Sequence, residues 1–135
     1  MAMSEFKNPV FNFIAPDELA MPEEYKLFLK EKGIKYYEHT EINENINYAD
    51  IVYMTRVQKE RFMDPIEYEK VKNVYILKNN MLKNTKFNMR ILHPLPRVNE
   101  IHTDVDNNEK AYYFEQARNG VYTREAIIAH ILNLK

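Results

Sequence analysis

Cysteine is missing from this 135-residue chain. Glycine is scarce as well, with 2 residues where average usage of about 7% would give roughly nine. Without cysteine the chain has no disulfide, no thiol nucleophile and no thiolate metal site, which is compatible with a reducing cytoplasm. Because glycine occurs only at Gly33 and Gly120, a glycine-rich phosphate loop cannot form, and the common nucleotide-binding fingerprints are excluded.

The chain also lacks an excess of one charge sign and a long apolar run. It has 19 basic and 20 acidic residues, a net charge of −1, so it has no basic stripe of the kind that nucleic-acid binding needs. No apolar run approaches the ~20 residues that span a bilayer, and the start, Met1 to Lys7, lacks the features of a signal peptide. We therefore expect a cytoplasmic protein that binds neither nucleic acid nor membrane.

Short apolar strands alternate with helices along the sequence. Strands are predicted at 10–15, 34–39, 51–55 and 89–93, and helices at about 22–32, 42–49, from 64 onward and 112–133. The last helix is expected to bury one apolar face and to be interrupted at Asn119-Gly120. The alternation predicts an α/β fold, a three-layer α/β/α arrangement with a mainly parallel sheet, and the length fits one domain.

A charged loop follows the predicted strand at 51–55. It contains Arg56, Gln58, Lys59 and Arg61. Ligands of α/β proteins bind beyond the carboxyl ends of parallel strands, so these side chains are placed where an anionic small molecule would be held. The alternative is a solvated strand-to-helix loop with surface charges.

The segment His93-Pro94-Leu95-Pro96-Arg97 ends the last predicted strand. Two prolines around one residue remove two amide donors and fix an extended backbone, which leaves carbonyl oxygens to face a ligand or water. The alternative is a rigid exit from the strand. With Arg56, which can bind a carboxylate bidentately, these carbonyls suit a ligand that has both carboxylate and amine groups. The four histidines are too scattered to predict a metal site, and Asp104 and Asp106 are assigned to a polar loop.

Two motifs in fixed order resemble a known family. The motifs are Tyr53-Met54-Thr55-Arg56-Val57-Gln58-Lys59-Glu60-Arg61 and His93-Pro94-Leu95-Pro96-Arg97-Val98-Asn99-Glu100-Ile101. Together with Phe13-Ile14-Ala15-Pro16 and the stretch from Tyr113 to Gly120, they resemble the aspartate-binding half of aspartate carbamoyltransferases, from about Val10 to the C-terminus. Asn99 stands where many relatives have aspartate.

The resemblance implies an enzyme that transfers a carbamoyl group from carbamoyl phosphate to the amine of L-aspartate, an early step of pyrimidine biosynthesis. It implies that Arg56 and Gln58 bind the carboxylates of L-aspartate. The backbone carbonyls of Pro94 and Leu95 would position the amino and carbamoyl groups.

The resemblance also implies a loop and an assembly. A mobile loop, whose ion pairs steady the open or closed form, is implied to contain Glu60, Arg61 and Glu67. No metal and no cofactor is expected. The complete enzyme is expected to be a homo-oligomer, a trimer in the family, and to bind carbamoyl phosphate through its N-terminal half.

Two parts of the family pattern have no counterpart in the chain. One is the carbamoyl-phosphate half with its Ser-Thr-Arg-Thr-Arg type of phosphate loop. The other is the first central strand of the aspartate half, with its helix and a further aspartate-binding arginine; that strand would lie between those at 10–15 and 51–55. We therefore expect residues 10–135 to form a partial aspartate-binding domain after an extension or cloning remnant at 1–9. The chain alone, as a fragment, is expected to be inactive.

Two other functions remain as alternatives. A non-catalytic assembly or ligand-binding module would pair with another chain that completes the sheet, because exposed sheet edges invite pairing. A transferase that acts on ornithine is disfavoured, because relatives of that kind carry a cysteine after the histidine of the second motif, where this chain has Pro94.

Overall fold

The computed structural model describes residues 2–42, 44–57 and 62–134, and it contains helices and short parallel strands. The strands are β1 (Val10–Ile14), β2 (Lys35–His39), β3 (Ile51–Tyr53) and β4 (Arg90–Leu92). The α-helices are α1 (Glu23–Glu31), α2 (Pro65–Val71) and α3 (Tyr113–Ile131). Short 3-10 helices cover Ala2–Glu5, Asp17–Leu19, Glu44–Tyr48, Asn79–Leu82 and Thr103–Val105. Within the described ranges, no helix is both long and apolar enough to cross a membrane.

The strands form two parallel pairs, β1 with β2 and β3 with β4. The chain forms two compact units, Met1–Asn45 and Ile46–Lys135, named the N-terminal unit and the C-terminal unit here, and each contains one pair. The predicted α/β class with parallel strands is confirmed. The strands at 10–15 and 51–55 are predicted from the sequence to share one sheet, on either side of a missing strand. In the structure these two strands, β1 and β3, belong to different sheets.

The N-terminal unit is a strand–helix–strand element. β1 and β2 pair over their full length of 5 residues each. Pro22 precedes α1, and Gly33 follows it with a φ of 66°, as expected for a helix that begins after proline and ends at a left-handed glycine. The apolar side chains of α1 are unevenly buried: Leu29 is buried, whereas Tyr25 and Leu27 are exposed.

The C-terminal unit contains most of the buried apolar side chains that the structure describes. Ile91 of β4 pairs with Val52 of β3 and also bridges to Ala111, and a separate bridge joins Leu77 to Ile101. α2 begins as predicted, with the Asp64 side chain accepting from the Ile66 amide at 2.8 Å and proline at the start of the helix. The buried apolar residues of this unit are Ile46, Met54, Val71, Leu77, Leu82, Met89, Ile91, Ile101, Val105 and Tyr113.

α3 differs from its prediction in two ways. The helix runs unbroken through Asn119 and Gly120, so the expected interruption is wrong. A side chain at Gly120 would meet the guanidinium of Arg124, which lies 3.0 Å from an ideal Cβ position. The predicted apolar face is buried only at Tyr113; its other large members, Val121, Ile128, Ile131 and Leu132, are 51–70% exposed.

Candidate functional site

β3 and β4 end at the same edge of their sheet because they are parallel. Tyr53 lies opposite Leu92, and the Met54 amide donates to the carbonyl oxygen of Leu92 at 2.9 Å. The segment that leads to Arg56 and the segment that begins at His93 therefore leave the sheet side by side. This is the edge at which parallel α/β sheets bind ligands.

A buried histidine–glutamate pair holds the segment His93–Glu100, named the proline loop here. The pair is His93, which is 1% exposed, and Glu100, which is 8% exposed. The Leu95 amide donates to Nδ1 of His93 at 2.8 Å, so the ring hydrogen is assigned to Nε2. Nε2 then donates to Oε1 of Glu100 at 2.8 Å. The Glu100 carboxylate also accepts from the amides of Val98 and Asn99, each at 3.1 Å.

Leu95 has an unusual backbone conformation at the centre of this loop. Its φ is 50°, in the left-handed region that bulky residues rarely occupy. Such a conformation costs about 1–3 kcal/mol and persists only where its surroundings fix it, and here the bond from the Leu95 amide to His93 does so. The Leu95–Pro96 peptide bond is cis. Pro94 is exposed and Leu95 is half-buried.

Arg97 of the proline loop forms a connected group with Asp106 and Tyr113. Both terminal nitrogens of Arg97 donate to the Asp106 carboxylate, with Nη2 at 2.5 Å from Oδ2, and the Tyr113 hydroxyl donates to the same carboxylate. Arg97 Nη1 also lies 3.1 Å from the Tyr113 hydroxyl oxygen. Because Tyr113 is fully buried at the start of α3, the loop arginine is anchored to that helix.

The members of this group shift one another's pKa. The hydrogen bond from Arg97 lowers the pKa of the Asp106 carboxyl below its ordinary value, although burial opposes the shift. Burial, helped by the contact with Asp106, raises the pKa of Tyr113 to about 12. The hydrogen bond to Asp106 raises the pKa of Arg97. The group is therefore an ion pair beside a neutral phenol at ordinary pH.

Gln116 connects α3 to both strand ends. Its Oε1 accepts from the His93 amide at 2.9 Å, and its Nε2 donates to the Tyr53 hydroxyl at 3.4 Å. One side chain thus touches the last residue of β3 and the first residue of the proline loop.

The predicted site residues fall into three groups. Arg56 is exposed after β3, and Pro94 and Leu95 lie in the proline loop at the same sheet edge. Glu67 is exposed in the first turn of α2. Gln58, Glu60 and Arg61 lie outside the described residues. The roles of all seven residues in binding stay predictions.

The sequence did not predict the side chains that hold the proline loop. Glu100, Asp106, Tyr113 and Gln116 have no part in the predicted site, and the side chain of His93 has no predicted role in it. The sequence contains no local signal for Glu100, because neighbouring side chains in an extended segment point to opposite sides and a carboxylate next to Ile101 can equally be exposed.

Two clefts formed by described residues are lined by side chains other than Arg56, Glu67, Pro94 and Leu95. A cleft of about 600 Å³ in the N-terminal unit lies beyond β1 and β2 and includes His39 and Glu41. One of about 410 Å³ in the C-terminal unit is lined by polar residues such as Asp104 and Lys110. Among the residues that the structure describes, no three His, Asp or Glu side chains are grouped as metal ligands.

Sequence comparison links the chain to named enzymes. Residues 1–131 match the family described as aspartate/ornithine carbamoyltransferase, Asp/Orn binding domain. The aspartate carbamoyltransferase catalytic subunit of Bacteroides thetaiotaomicron is 69% identical over 135 residues, which are 99% of this chain and 43% of that protein. The subunit of the same name from Vibrio vulnificus is 53% identical over 132 residues, 98% of this chain and 42% of that protein.

Structural comparison agrees. The catalytic subunit of M. jannaschii aspartate transcarbamoylase superposes with a TM-score of 0.83 at 40% identity, over 99% of this chain and 44% of that one. Aspartate transcarbamoylase from Trypanosoma cruzi, solved with aspartate and phosphate, gives a TM-score of 0.72 at 31% identity, over 88% and 37%. The chain thus spans less than half the length of these relatives. In sequence and in fold, it belongs to the Asp/Orn-binding domain family of the aspartate and ornithine carbamoyltransferases.

Proposed function

We propose that this chain is the aspartate-binding portion of an aspartate carbamoyltransferase, which acts in de novo pyrimidine biosynthesis in the cytoplasm. The observation that carries the proposal is the parallel pairing of β3 with β4, which puts the segment before Arg56 and the proline loop at one sheet edge. Relatives that align with 99% of the chain, at 69% and 65% identity, are named aspartate carbamoyltransferase catalytic subunits. Their names favour aspartate over ornithine as the substrate.

In the proposed reaction, the amine of L-aspartate attacks the carbonyl carbon of carbamoyl phosphate and forms the C–N bond. The C–O bond to phosphate breaks, and the departing phosphate takes up the proton that the amine loses as carbamoyl aspartate forms. Arg56 and Gln58 bind the aspartate carboxylates, and the carbonyls of Pro94 and Leu95 accept hydrogen bonds from the amino and carbamoyl groups. No covalent intermediate is needed, because positioning and charge stabilisation supply most of the rate.

The remaining parts of the proposal concern loop closure and assembly. Glu60, Arg61 and Glu67 belong to the loop that steadies the closed or open form. Carbamoyl phosphate is held by the portion of the relatives that this chain does not match, so the chain alone does not turn it over. The complete enzyme is a homo-oligomer.

Activity can be tested in a hybrid protein, in which this chain replaces the matching 43% of the B. thetaiotaomicron subunit. We expect the hybrid to form carbamoyl aspartate from carbamoyl phosphate and L-aspartate, and the chain alone, purified free of host enzyme, to form none. Activity of the chain alone would contradict the proposed incompleteness, and an inactive hybrid would contradict the proposed function.

The role of Arg56 can be tested in the same hybrid. Arg56→Lys keeps the charge but loses bidentate binding, so the KM for aspartate should rise about 10- to 100-fold. Arg118→Lys, on the exposed surface of α3, is the matched control and should leave the KM unchanged. Equal effects of the two substitutions would argue against a role for Arg56 in binding.

Binding to the chain itself can be followed by NMR. Titration with L-aspartate and with succinate, which has both carboxylates but no amine, should shift the amide signals of Arg56 and Leu95. If neither ligand shifts a signal at millimolar concentration, the chain does not contain an assembled aspartate site.

The exposed face of α3 supports a second candidate, a non-catalytic module that pairs with another chain. Val121, Ile128, Ile131 and Leu132 are more than half exposed, and an apolar patch of this kind often marks an interaction surface. Sedimentation of the purified chain distinguishes the candidates: a stable, dispersed monomer that binds aspartate would argue against a required partner.

A further inference from the structure

We infer that Glu100 is the positioning residue of the proposed aspartate site, acting through His93 on the carbonyls of Pro94 and Leu95. The inference rests on the proposed function, since those carbonyls are its substrate contacts. Glu100 does not itself need to touch the substrate. Its carboxylate sets the direction of the two backbone groups that do.

The Glu100 carboxylate joins the two ends of the proline loop. Oε1 accepts from His93 Nε2 at 2.8 Å at the start of the loop, and Oε2 accepts from the amides of Val98 and Asn99 at 3.1 Å near its end. The substrate-facing pair Pro94–Leu95 lies between these points. A shift of the carboxylate is therefore passed to the backbone between them.

The histidine ring passes the constraint to Leu95. Because Nε2 donates to Glu100, Nδ1 is free to accept the Leu95 amide hydrogen at 2.8 Å. That bond holds Leu95 in its left-handed conformation, with φ at 50°. In this conformation the carbonyls before and after Leu95 have fixed directions, so the ring tautomer determines where they point.

The side chain at position 100 must accept hydrogen bonds with both of its terminal atoms, one from His93 and the other from the amides of Val98 and Asn99. An amide at position 100 must turn its NH₂ either toward His93 Nε2–H or toward the amides of Val98 and Asn99, and each choice puts two donors face to face. If the ring instead moved its hydrogen to Nδ1, that hydrogen would oppose the Leu95 amide. Glu100→Gln therefore disturbs the loop although it keeps the size of the side chain.

The first test is kinetic and uses the hybrid protein. We expect Glu100→Gln to lower kcat/KM for aspartate about 10- to 100-fold, because a misplacement of about 1 Å at a reacting group can cost that much. The KM for carbamoyl phosphate should change much less. Glu115→Gln, an exposed carboxylate-to-amide change on α3, is the matched control and should leave both values unchanged.

The second test measures the ring itself. In the unmodified hybrid, ¹⁵N NMR of the His93 side chain should show hydrogen on Nε2 alone, and in Glu100→Gln it should show a changed or mixed tautomer. Glu100→Asp keeps the charge with a shorter side chain. It should retain the tautomer and recover part of the activity, and it serves if Glu100→Gln does not fold.

The outcomes separate the two proposals. An inactive unmodified hybrid would overturn the proposed function and this inference with it. An active hybrid in which Glu100→Gln keeps full kcat/KM, or loses it while His93 keeps its tautomer, would overturn the inference alone. The Glu100→Asp variant can also overturn the inference. It does so if its activity is as low as that of a folded Glu100→Gln protein, or if the tautomer of His93 changes in it.

Discussion

The two compact units contain the same parallel strand pairing, yet they bury very different side chains. In the N-terminal unit the described ion pairs are at the surface, such as Lys26 with Glu23 and Glu38, and Leu29 is its buried apolar residue among those described. Among its described residues, the C-terminal unit buries ten apolar ones and also the His93–Glu100 pair. Strand pairing alone therefore does not determine where a rigid loop can be built.

The difference has a physical reason. A strained loop such as the one at Leu95 needs neighbours that cannot move away, and buried hydrogen bonds in a close-packed surrounding provide them. Lys110 in the C-terminal unit illustrates this, because its ammonium is buried and donates to Thr85 Oγ1 at 2.8 Å. The surface ion pairs of the N-terminal unit have water as an alternative partner.

The largest expected contrast between the units concerns apolar burial. Leu77→Ala removes a side chain that is 0% exposed and should lower the free energy of unfolding by about 2–5 kcal/mol. Leu27→Ala in α1 removes a side chain that is 50% exposed and should change it by less than about 0.5 kcal/mol. Chemical denaturation measures both, and similar effects would remove the contrast.

The next contrast concerns the ion pair at the proline loop. Asp106→Asn leaves the Arg97 guanidinium without its carboxylate and should cost about 1.5–3 kcal/mol. Tyr113→Phe removes one buried hydroxyl donor and should cost about 1 kcal/mol. Tyr37→Phe in the N-terminal unit is the control, because Tyr37 is 53% exposed. A cost for Tyr37→Phe as large as for Tyr113→Phe would contradict this interpretation of burial.

The pH dependence of stability should follow the same group. The lowered pKa of Asp106 contributes stability that is present above its unfolded pKa and is lost as pH falls through the folded value. The pKa of Tyr113, raised to about 12, contributes stability below its ordinary value of 10.0 that is lost as pH rises toward 12. The slope of the unfolding free energy against pH should become shallower on the acid side in Asp106→Asn and on the alkaline side in Tyr113→Phe. Unchanged slopes would assign the pH dependence to other groups.

The smallest expected effect is at the surface of the N-terminal unit. Lys26→Met removes the bridge to Glu23 and Glu38 and should cost about 0–1 kcal/mol. The cost should shrink as salt is added, because exposed charges are screened. A cost above about 2 kcal/mol that salt does not reduce would show that this bridge is not a simple surface contact.

Sequence patterns predicted local structure well where the cause is local. The start of α2 depends on Asp64 and Pro65 themselves, and the glycine that ends α1 depends on its own backbone. The sheet edge after Tyr53 follows from the parallel pairing of β3 with β4, whereas the division of the strands into two separate pairs did not follow from the alternation. The confirmed resemblance added the family, which no single pattern established.

What the sequence did not predict depends on distant partners. The pairing of Arg97 with Asp106 and Tyr113 spans 9 and 16 residues, and no local spacing reveals it. The periodicity of α3 predicted a buried face, but periodicity shows only which side chains share a face. Whether that face is covered depends on what packs against it, so Ile131 is 70% exposed in spite of the pattern.

The uncovered face of α3 has a consequence for the fate of the chain in a cell. Chaperones and proteases act on polypeptides whose apolar surface stays accessible, and the second half of α3 displays such surface as a stripe of exposed apolar side chains that includes Ile128 and Ile131. We expect the abundance of the chain to depend on whether another polypeptide covers that stripe. The amount of that polypeptide would then determine how long the chain survives degradation, independently of any effect on catalysis.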